Sequence, residues 1–345
     1  MSDDIEIRPF QLDTPEEVIT DLRRRVAGTR WPTRELAADR SRGVQLATIQ
    51  EVARYWATEH DWRTLEAKLN ALPQYTTVID GVEIHFIHVR SQHETALPLI
   101  MTHGWPGSVV ELLGVVGPLT DPTAHGGSPE DAFHLVLPSL PGYGFSGEPA
   151  EPGWDSNRMA RAWAVLMDRL GYPRYVAQGG DVGAAVTDAM GRQGPDGLLG
   201  IHVNLLAGAI GIKDQLPAKS EQERAAHDAL NLFTTDGFGY LPEQSTRPQT
   251  IGYSVATAPS ATTSSCRRPR PAGAGPRQGS TRYGGDPPCI DDCGLLPEAS
   301  QSAAGEPRMV AGLGLGPGEA ERRPADLEVA QRDSRSGRGA KRLRG

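Results

Sequence analysis

Two short motifs of this chain combine residue types that can do covalent chemistry. The first is QGGDVGA at residues 178–184, which has the small-x-nucleophile-x-small pattern of a sharp strand-to-helix turn with Asp181 as the nucleophile. The second is HGWP at residues 103–106, a strand exit that can aim backbone N–H groups at a developing oxyanion. We expect the N–H groups of Trp105 and Val182 to be the two donors. Together the motifs predict an enzyme whose carboxylate attacks an electrophilic carbon.

A carboxylate nucleophile restricts the reaction. An ionised aspartate needs no base to attack, so it suits displacement at an sp³ carbon, which leaves an alkyl ester on the enzyme. Water activated by a histidine must then cleave this ester at the carbonyl carbon of the aspartate, where an oxyanion forms. The expected electrophile is therefore an epoxide or an alkyl halide. The sequence contains nine histidines, and none of them follows His227.

Each motif alone also has a simpler interpretation. A Gly-Gly-Asp sequence is an ordinary turn signal, and Pro106 could merely begin a helix. The two motifs, however, both follow predicted strands and precede predicted helices, in the order that a nucleophile turn and an oxyanion loop require. We therefore interpret them as parts of one site.

The elements that must position this site form a βαβ alternation. Strands are predicted at residues 97–102, 134–138, 175–178 and 199–205, and helices at 108–116, 157–170 and 184–192. The helix at 157–170 has one continuous apolar face. Crossovers of this length imply a parallel sheet, and the carboxyl ends of its strands then carry both motifs.

The residues before this alternation are expected to be mainly helical. TPEE at residues 14–17 predicts a capping box that starts a helix, and a second amphipathic stretch is predicted at 46–72. Strands at 75–79 and 82–89 flank an Asp80-Gly81 turn signal and are expected to pair antiparallel at a sheet edge.

The composition argues against several classes of function. A net charge of −8 disfavours a nucleic-acid-binding surface. The acidic N-terminus does not resemble a secretory signal, and no stretch approaches the roughly 20 apolar residues that span a bilayer. A cytoplasmic enzyme without a cofactor or a metal site is expected. Cys289 and Cys293 have a loosely metal-like spacing but no accompanying ligands, so we expect unpaired thiols.

Further motifs make the resemblance to a known family specific. They are TRWP at 29–32, DWR at 61–63, IHFIH at 84–88, HGWPGS at 103–108, PSLPGYGFS at 138–146 and GGD at 179–181. Over about residues 5–257 the chain resembles the microsomal-type epoxide hydrolases, including their N-terminal extension. This resemblance implies an α/β-hydrolase fold with a mostly parallel sheet and a lid. It also implies that a small-molecule epoxide is converted to a vicinal diol through an ester on Asp181.

The same resemblance implies a role for Tyr240, as a lid tyrosine that donates a hydrogen bond to the epoxide oxygen. We also predict that Trp154 binds substrate, with a purely core role as the alternative. Val182 stands where the family commonly has tryptophan, which keeps the backbone donor but changes the pocket wall. The resemblance stops at about residue 256, before the second lid tyrosine, the acid and the catalytic histidine of the family.

These observations divide the chain into four segments. They are an N-terminal epoxide-hydrolase-type extension with the first strands at 1–90, an α/β-hydrolase core at 91–206, a lid at 207–257 and a low-complexity tail at 258–345. The tail is rich in Gly, Pro, Arg and Ala. Two hypotheses account for it: an out-of-frame reading of a GC-rich gene, or a disordered tail.

The sequence therefore predicts an impaired epoxide hydrolase. Asp181 could open an epoxide, but the ester would persist, because nothing in the chain is assigned to activate water. The alternatives are a haloalkane dehalogenase-like hydrolase, which shares the aspartate turn, and a non-catalytic truncated homologue.

Overall fold

The computed structural model describes residues 5–37, 43–205 and 217–232, together with residues 235 and 246. The N-terminal part contains one short strand and three helices: β1 (Arg8–Phe10), α1 (Glu16–Ala27), α2 (Leu46–Thr58) and α3 (Trp62–Asn70). Helices α1 and α2 pack together through Leu22, Val26 and Ala53. Leu22 and Val26 are four residues apart and so lie on one side of α1. The predicted helical character of this region is confirmed.

The capping box predicted at residues 14–17 is wrong. The cap position of α1 is Pro15, and this cap makes no side-chain hydrogen bond. Thr14 is held elsewhere, because its N–H donates to Glu66 Oε2 (2.9 Å) and its carbonyl accepts from Arg63 Nη1 (2.7 Å). These two bonds fasten the segment before α1 to α3.

The amphipathic stretch predicted at 46–72 forms two helices, α2 and α3. Asp61 has an extended backbone at the N-cap of α3, and its carboxylate accepts the Arg63 N–H at 3.0 Å. This bond holds the pKa of Asp61 below its ordinary value. An aspartate at this position stabilises a helix start, so a new helix begins although the apolar period continues.

Six further strands complete a sheet: β2 (Gln74–Ile79), β3 (Val82–Val89), β4 (Leu97–Thr102), β5 (Phe133–Pro138), β6 (Tyr175–Gly179) and β7 (Leu198–Val203). Among the described residues the sheet has seven strands, in the order β1-β2-β3-β5-β4-β6-β7. The pairs β1–β2, β2–β3 and β3–β5 are antiparallel, and the pairs β5–β4, β4–β6 and β6–β7 are parallel. The strands predicted from residue 97 onwards and their parallel pairing are confirmed.

Strands β2 and β3 form the predicted antiparallel hairpin, with Ile79 opposite Val82. Asp80 and Gly81 both have positive φ, 51° and 77°, which an Asp-Gly pair adopts with little strain. The expectation that this hairpin lies at the sheet edge is wrong, because β1 pairs with β2 on its outer side. A three-residue strand with proline at its centre is too short to leave a recognisable pattern.

Three helices connect the parallel strands, and a fourth follows them: α4 (Leu113–Thr120), α5 (Ser156–Arg169), α6 (Val182–Gln193) and α7 (Glu221–Leu232). Helix α5 has the predicted apolar face and buries Trp163, Leu166 and Met167 in the core. The helix predicted at 108–116 begins instead with a 3-10 turn at Val109–Leu112. Within the described ranges, no helix has the length and apolar character needed to cross a membrane.

The order of the central strands decides where the two chemical motifs meet. Strands β4 and β6 are parallel neighbours, and Thr102 pairs with Gly179 at their ends. Because carboxyl ends of parallel strands meet at one edge of a sheet, residues 103–106 and 180–182 leave this edge side by side.

Candidate active site

Asp181 occupies the turn between β6 and α6. Its backbone has φ 52° and ψ −120°. Among the described residues other than glycine, only Asp181 and Asp80 have a positive φ. Such backbone strain costs about 1–3 kcal/mol and persists where the surrounding structure over-determines it. The turn leaves the Asp181 side chain exposed between two buried glycines, Gly179 and Gly183.

The glycines around this turn allow backbones to approach more closely than other residues permit. A Cβ on Gly183 would overlap the carbonyl oxygen of Thr102, so the first turn of α6 lies directly against β4. A Cβ on Gly104 would lie 2.5 Å from the Cβ of Asp181. The loop after β4 can therefore reach Asp181 only because residue 104 is glycine.

The two predicted donors both contact Asp181. The Trp105 N–H donates to Asp181 Oδ1 at 3.0 Å, and the Val182 N–H donates to the same oxygen at 2.7 Å. The N-terminus of α6 also favours negative charge at this oxygen. Oδ2 receives no hydrogen bond from any residue that the structure describes, so this geometry leaves Oδ2 open to a bound molecule.

His103 lies next to this loop but is arranged as a structural residue. It is completely buried; its Nδ1–H donates to the Gly104 carbonyl at 2.9 Å, and its Nε2 accepts the Leu140 N–H at 3.1 Å. Burial lowers the pKa of His103 to about 4, so the ring is neutral near pH 7. Because both ring nitrogens are engaged, His103 has no lone pair with which to activate water.

Replacing His103 with glutamine is expected to reduce the loss of stability in mild acid. Since burial lowers the pKa of His103 from 6.5 to about 4, the unfolded chain binds a proton between these pH values that the folded chain does not. This histidine therefore removes up to about 3 kcal/mol of stability as the pH falls through that window. Urea unfolding at several pH values should give a shallower pH dependence for the variant.

His88 provides an internal control for that experiment. Burial also lowers its pKa to about 4, and it remains in both proteins, so its contribution cancels in the difference. Equal pH dependence of the two unfolding free energies would contradict the buried, neutral state of His103.

The PSLPGYGFS motif at 138–146 contributes a buried network beside the site. Ser146 Oγ accepts the His85 N–H at 3.0 Å and donates to the Ser139 carbonyl at 2.8 Å. In the His85 ring, Nδ1 is hydrogen-bonded to Ser139 Oγ at 2.9 Å and Nε2 to Gln74 Oε1 at 3.1 Å. The motif thus ties the loop after β5 to β3, a supporting role that the sequence pattern alone does not indicate.

Trp154 lies half-buried just before α5 and packs against the core. The Arg158 guanidinium lies 4.6 Å from the centre of its ring and is itself paired with Asp80 (2.5 Å) and Glu151 (3.0 Å). One face of the indole is therefore occupied by a cation–π contact. Substrate binding by Trp154 stays a prediction.

Glu111 is a residue near the site that the sequence motifs do not single out. Its Oε1 accepts the Gly104 N–H at 3.1 Å. A signal in the sequence is that Glu111 follows Gly104 by seven residues and lies in a short helical turn with Ser108 at its N-cap. This carboxylate therefore contacts the same loop that donates to Asp181.

Several predicted features lie outside the described residues. They are Tyr240, most of the lid segment, Cys289 and Cys293, and the tail at 258–345. Within the described part of the chain, no group of three His, Cys, Asp or Glu side chains could hold a metal ion.

Comparisons with known proteins agree with the resemblance that the motifs indicate. A family model described as the epoxide hydrolase N terminus matches residues 7–112, and one described as the alpha/beta hydrolase fold matches residues 98–204. A Stigmatella aurantiaca protein provisionally named as an epoxide hydrolase is 52% identical over 256 residues, which cover 74% of this chain and 58% of that protein.

Solved structures lead to the same family. The structure of the Aspergillus niger epoxide hydrolase has 35% sequence identity and a TM-score of 0.66, covering 75% of this chain and 68% of that one. The juvenile hormone epoxide hydrolase of Bombyx mori has 30% identity and a TM-score of 0.61, covering 75% and 61%. The chain spans 58% of the length of the first curated relatives that it matches. The predicted fold class is confirmed, and the chain belongs to the epoxide hydrolases that join an N-terminal epoxide hydrolase module to an α/β-hydrolase fold.

Proposed function

We propose that this chain opens a small-molecule epoxide by attack of Asp181 Oδ2 on a ring carbon. A bond forms between Oδ2 and that carbon, the carbon–oxygen bond of the epoxide breaks, and an alkyl ester remains on Asp181. The observation that carries this proposal is the exposed carboxylate in a strained turn, with Oδ1 bound by the N–H groups of Trp105 and Val182. Those bonds orient the carboxylate, and no residue that the structure describes donates to Oδ2.

The oxygen that leaves the ring carbon needs a proton. Tyr240 is proposed as its donor, on the family resemblance of its surrounding sequence. A tyrosine suits this role because its O–H is neutral at pH 7 and can stabilise a developing alkoxide. The proposed substrate class is small-molecule epoxides, and the cytoplasmic location stays a prediction.

Completing the reaction requires water to attack the carbonyl carbon of the ester. Negative charge would then develop on Oδ1, where two N–H donors already lie within 3.0 Å. A base must remove a proton from that water. The resemblance to the family stops before the position of its catalytic histidine, and His103, the histidine next to the loop that contacts Asp181, has no free nitrogen. The proposal is therefore that the ester accumulates in the 345-residue chain.

Incubation of this chain with styrene oxide tests both parts of the proposal. We expect intact-mass measurement to show one styrene oxide added per chain, with peptide mapping locating it on Asp181, and little diol to be released. Multiple turnovers to diol without an adduct would contradict ester accumulation. Absence of both the adduct and the diol would contradict epoxide opening. Unreacted chain incubated without epoxide gives the reference mass.

A further inference from the structure

We infer that Glu111 is a positioning residue that holds the Trp105 N–H in its place against Asp181. The inference rests on the proposed function, because it concerns the same ester chemistry. Glu111 Oε1 accepts the Gly104 N–H at 3.1 Å, and the next N–H along the chain, that of Trp105, donates to Asp181 Oδ1 at 3.0 Å. Two successive N–H groups are therefore bound by two different carboxylates.

The Gly104 backbone needs a hydrogen bond such as the one to Glu111 because residue 104 must be glycine. A Cβ at this position would meet Asp181, which restricts the position to glycine. Glycine has the widest range of backbone conformations, so it resists rotation of its neighbouring peptide units least. His103 Nδ1 holds the Gly104 carbonyl at 2.9 Å, and Glu111 holds the Gly104 N–H. Both peptide units at Gly104 are thereby restrained.

The turn that carries Glu111 is itself well anchored. Ser108 caps it, since its Oγ accepts the Val110 N–H at 3.2 Å, and Val109 is completely buried. Gly107 leaves room for the Glu111 carboxylate, because a Cβ on Gly107 would overlap Glu111 Oε2. Residues 104–111 thus form a loop whose first and last residues are joined by the hydrogen bond from the Gly104 N–H to the Glu111 carboxylate.

Loss of this contact should act on the chemical step. Once the Gly104 N–H has no acceptor, the Trp105 N–H can move away from Oδ1 and the carboxylate loses its orientation. A displacement of about 1 Å can cost about a hundredfold in rate. We expect ester formation to be about tenfold to a hundredfold slower at saturating epoxide, with the half-saturating epoxide concentration nearly unchanged.

Time courses of styrene oxide addition to the full chain, followed by intact mass, test this role. Glu111→Ala should be slow, whereas Glu111→Gln should react within about threefold of the unaltered chain, because its amide oxygen can still accept the Gly104 N–H. Glu94→Ala is the matched control, since it removes an exposed carboxylate from a loop at the opposite edge of the sheet. Thermal unfolding should be similar for the four proteins.

Gly107→Ala is a second variant that should break the hydrogen bond between Glu111 and the Gly104 N–H. Its new Cβ displaces the flexible end of the Glu111 side chain, while the next nearest atom outside that side chain, the Gly104 carbonyl oxygen, lies at an ordinary 3.5 Å. We expect this variant to be as slow as Glu111→Ala and the double variant to be no slower than either one. Non-additivity of this kind shows that both changes break the same contact.

Three results would overturn the inference: ester formation by Glu111→Ala at the unaltered rate, a Glu111→Gln variant as slow as Glu111→Ala, or additive effects of Gly107→Ala and Glu111→Ala. If Glu111→Ala fails to fold, the two single variants Gly107→Ala and Glu111→Gln test the inference in its place. Gly107→Ala should then be slow and Glu111→Gln should react at nearly the unaltered rate, and the opposite result would overturn the inference. Failure of the unaltered chain to form either ester or diol would instead overturn the proposed function.

Discussion

Asp181→Asn is expected to abolish ester formation, slowing the addition of styrene oxide by at least about 10⁴-fold. A neutral amide lacks the charge and the nucleophilicity of the carboxylate. Asparagine has the same shape, tolerates positive φ and can still accept the N–H groups of Trp105 and Val182, so the turn should be preserved. Intact-mass time courses, with circular dichroism as a check of folding, would measure the effect.

Asp188→Asn is the matched control for this variant. Asp188 lies on α6, seven residues after Asp181, and pairs with Arg192 on the surface at 3.0 Å. Loss of such a pair typically costs about 0–1 kcal/mol and should leave the rate of addition unchanged. Addition to Asp181→Asn at the rate of the unaltered chain would mean that another residue is the nucleophile.

Gly183→Ala is expected to have the largest effect on stability. Its Cβ would overlap the Thr102 carbonyl oxygen and lie 2.7 Å from the Thr102 carbonyl carbon and 2.8 Å from the His103 oxygen. These are backbone atoms at the end of central strand β4, so they cannot move aside as a flexible side chain could. We expect a loss of at least about 3 kcal/mol, which is a large share of the roughly 5–15 kcal/mol that stabilises a domain. Urea unfolding would measure this loss.

Gly114→Ala separates this steric effect from the general effect of replacing glycine. Gly114 lies in α4, and a Cβ at this position would have no other atom within 4 Å beyond its own helix backbone and chain neighbours. Gly114 is the second residue of α4, and alanine is a better helix former than glycine, so this variant should not lose stability. Similar unfolding free energies for the two variants would contradict the tight contact between α6 and β4.

Local patterns account for much of the fold that could be predicted. The Asp80-Gly81 turn, the apolar face of α5 and the alternation of strands and helices depend on residues close together in the chain, and the structure agrees with them. The failures arise where contacts with distant residues compete with a local pattern. Pro15, not Thr14, has the cap position of α1, and the backbone of Thr14 is bound by Arg63 and Glu66 of α3.

The motifs around Asp181 and Trp105 were sufficient by themselves to predict a carboxylate nucleophile and two backbone donors, and with the other motifs they indicated the epoxide hydrolase family. Tertiary structure decided the rest, because the Trp105–Asp181 contact joins residues 76 positions apart and exists only through the pairing of β4 with β6. It also decided that both ring nitrogens of the buried His103 are hydrogen-bonded and that Glu111 accepts the Gly104 N–H. A local period indicates which face of an element is buried, but contacts between residues far apart in the chain depend on how the elements pack, which no local period or turn signal encodes.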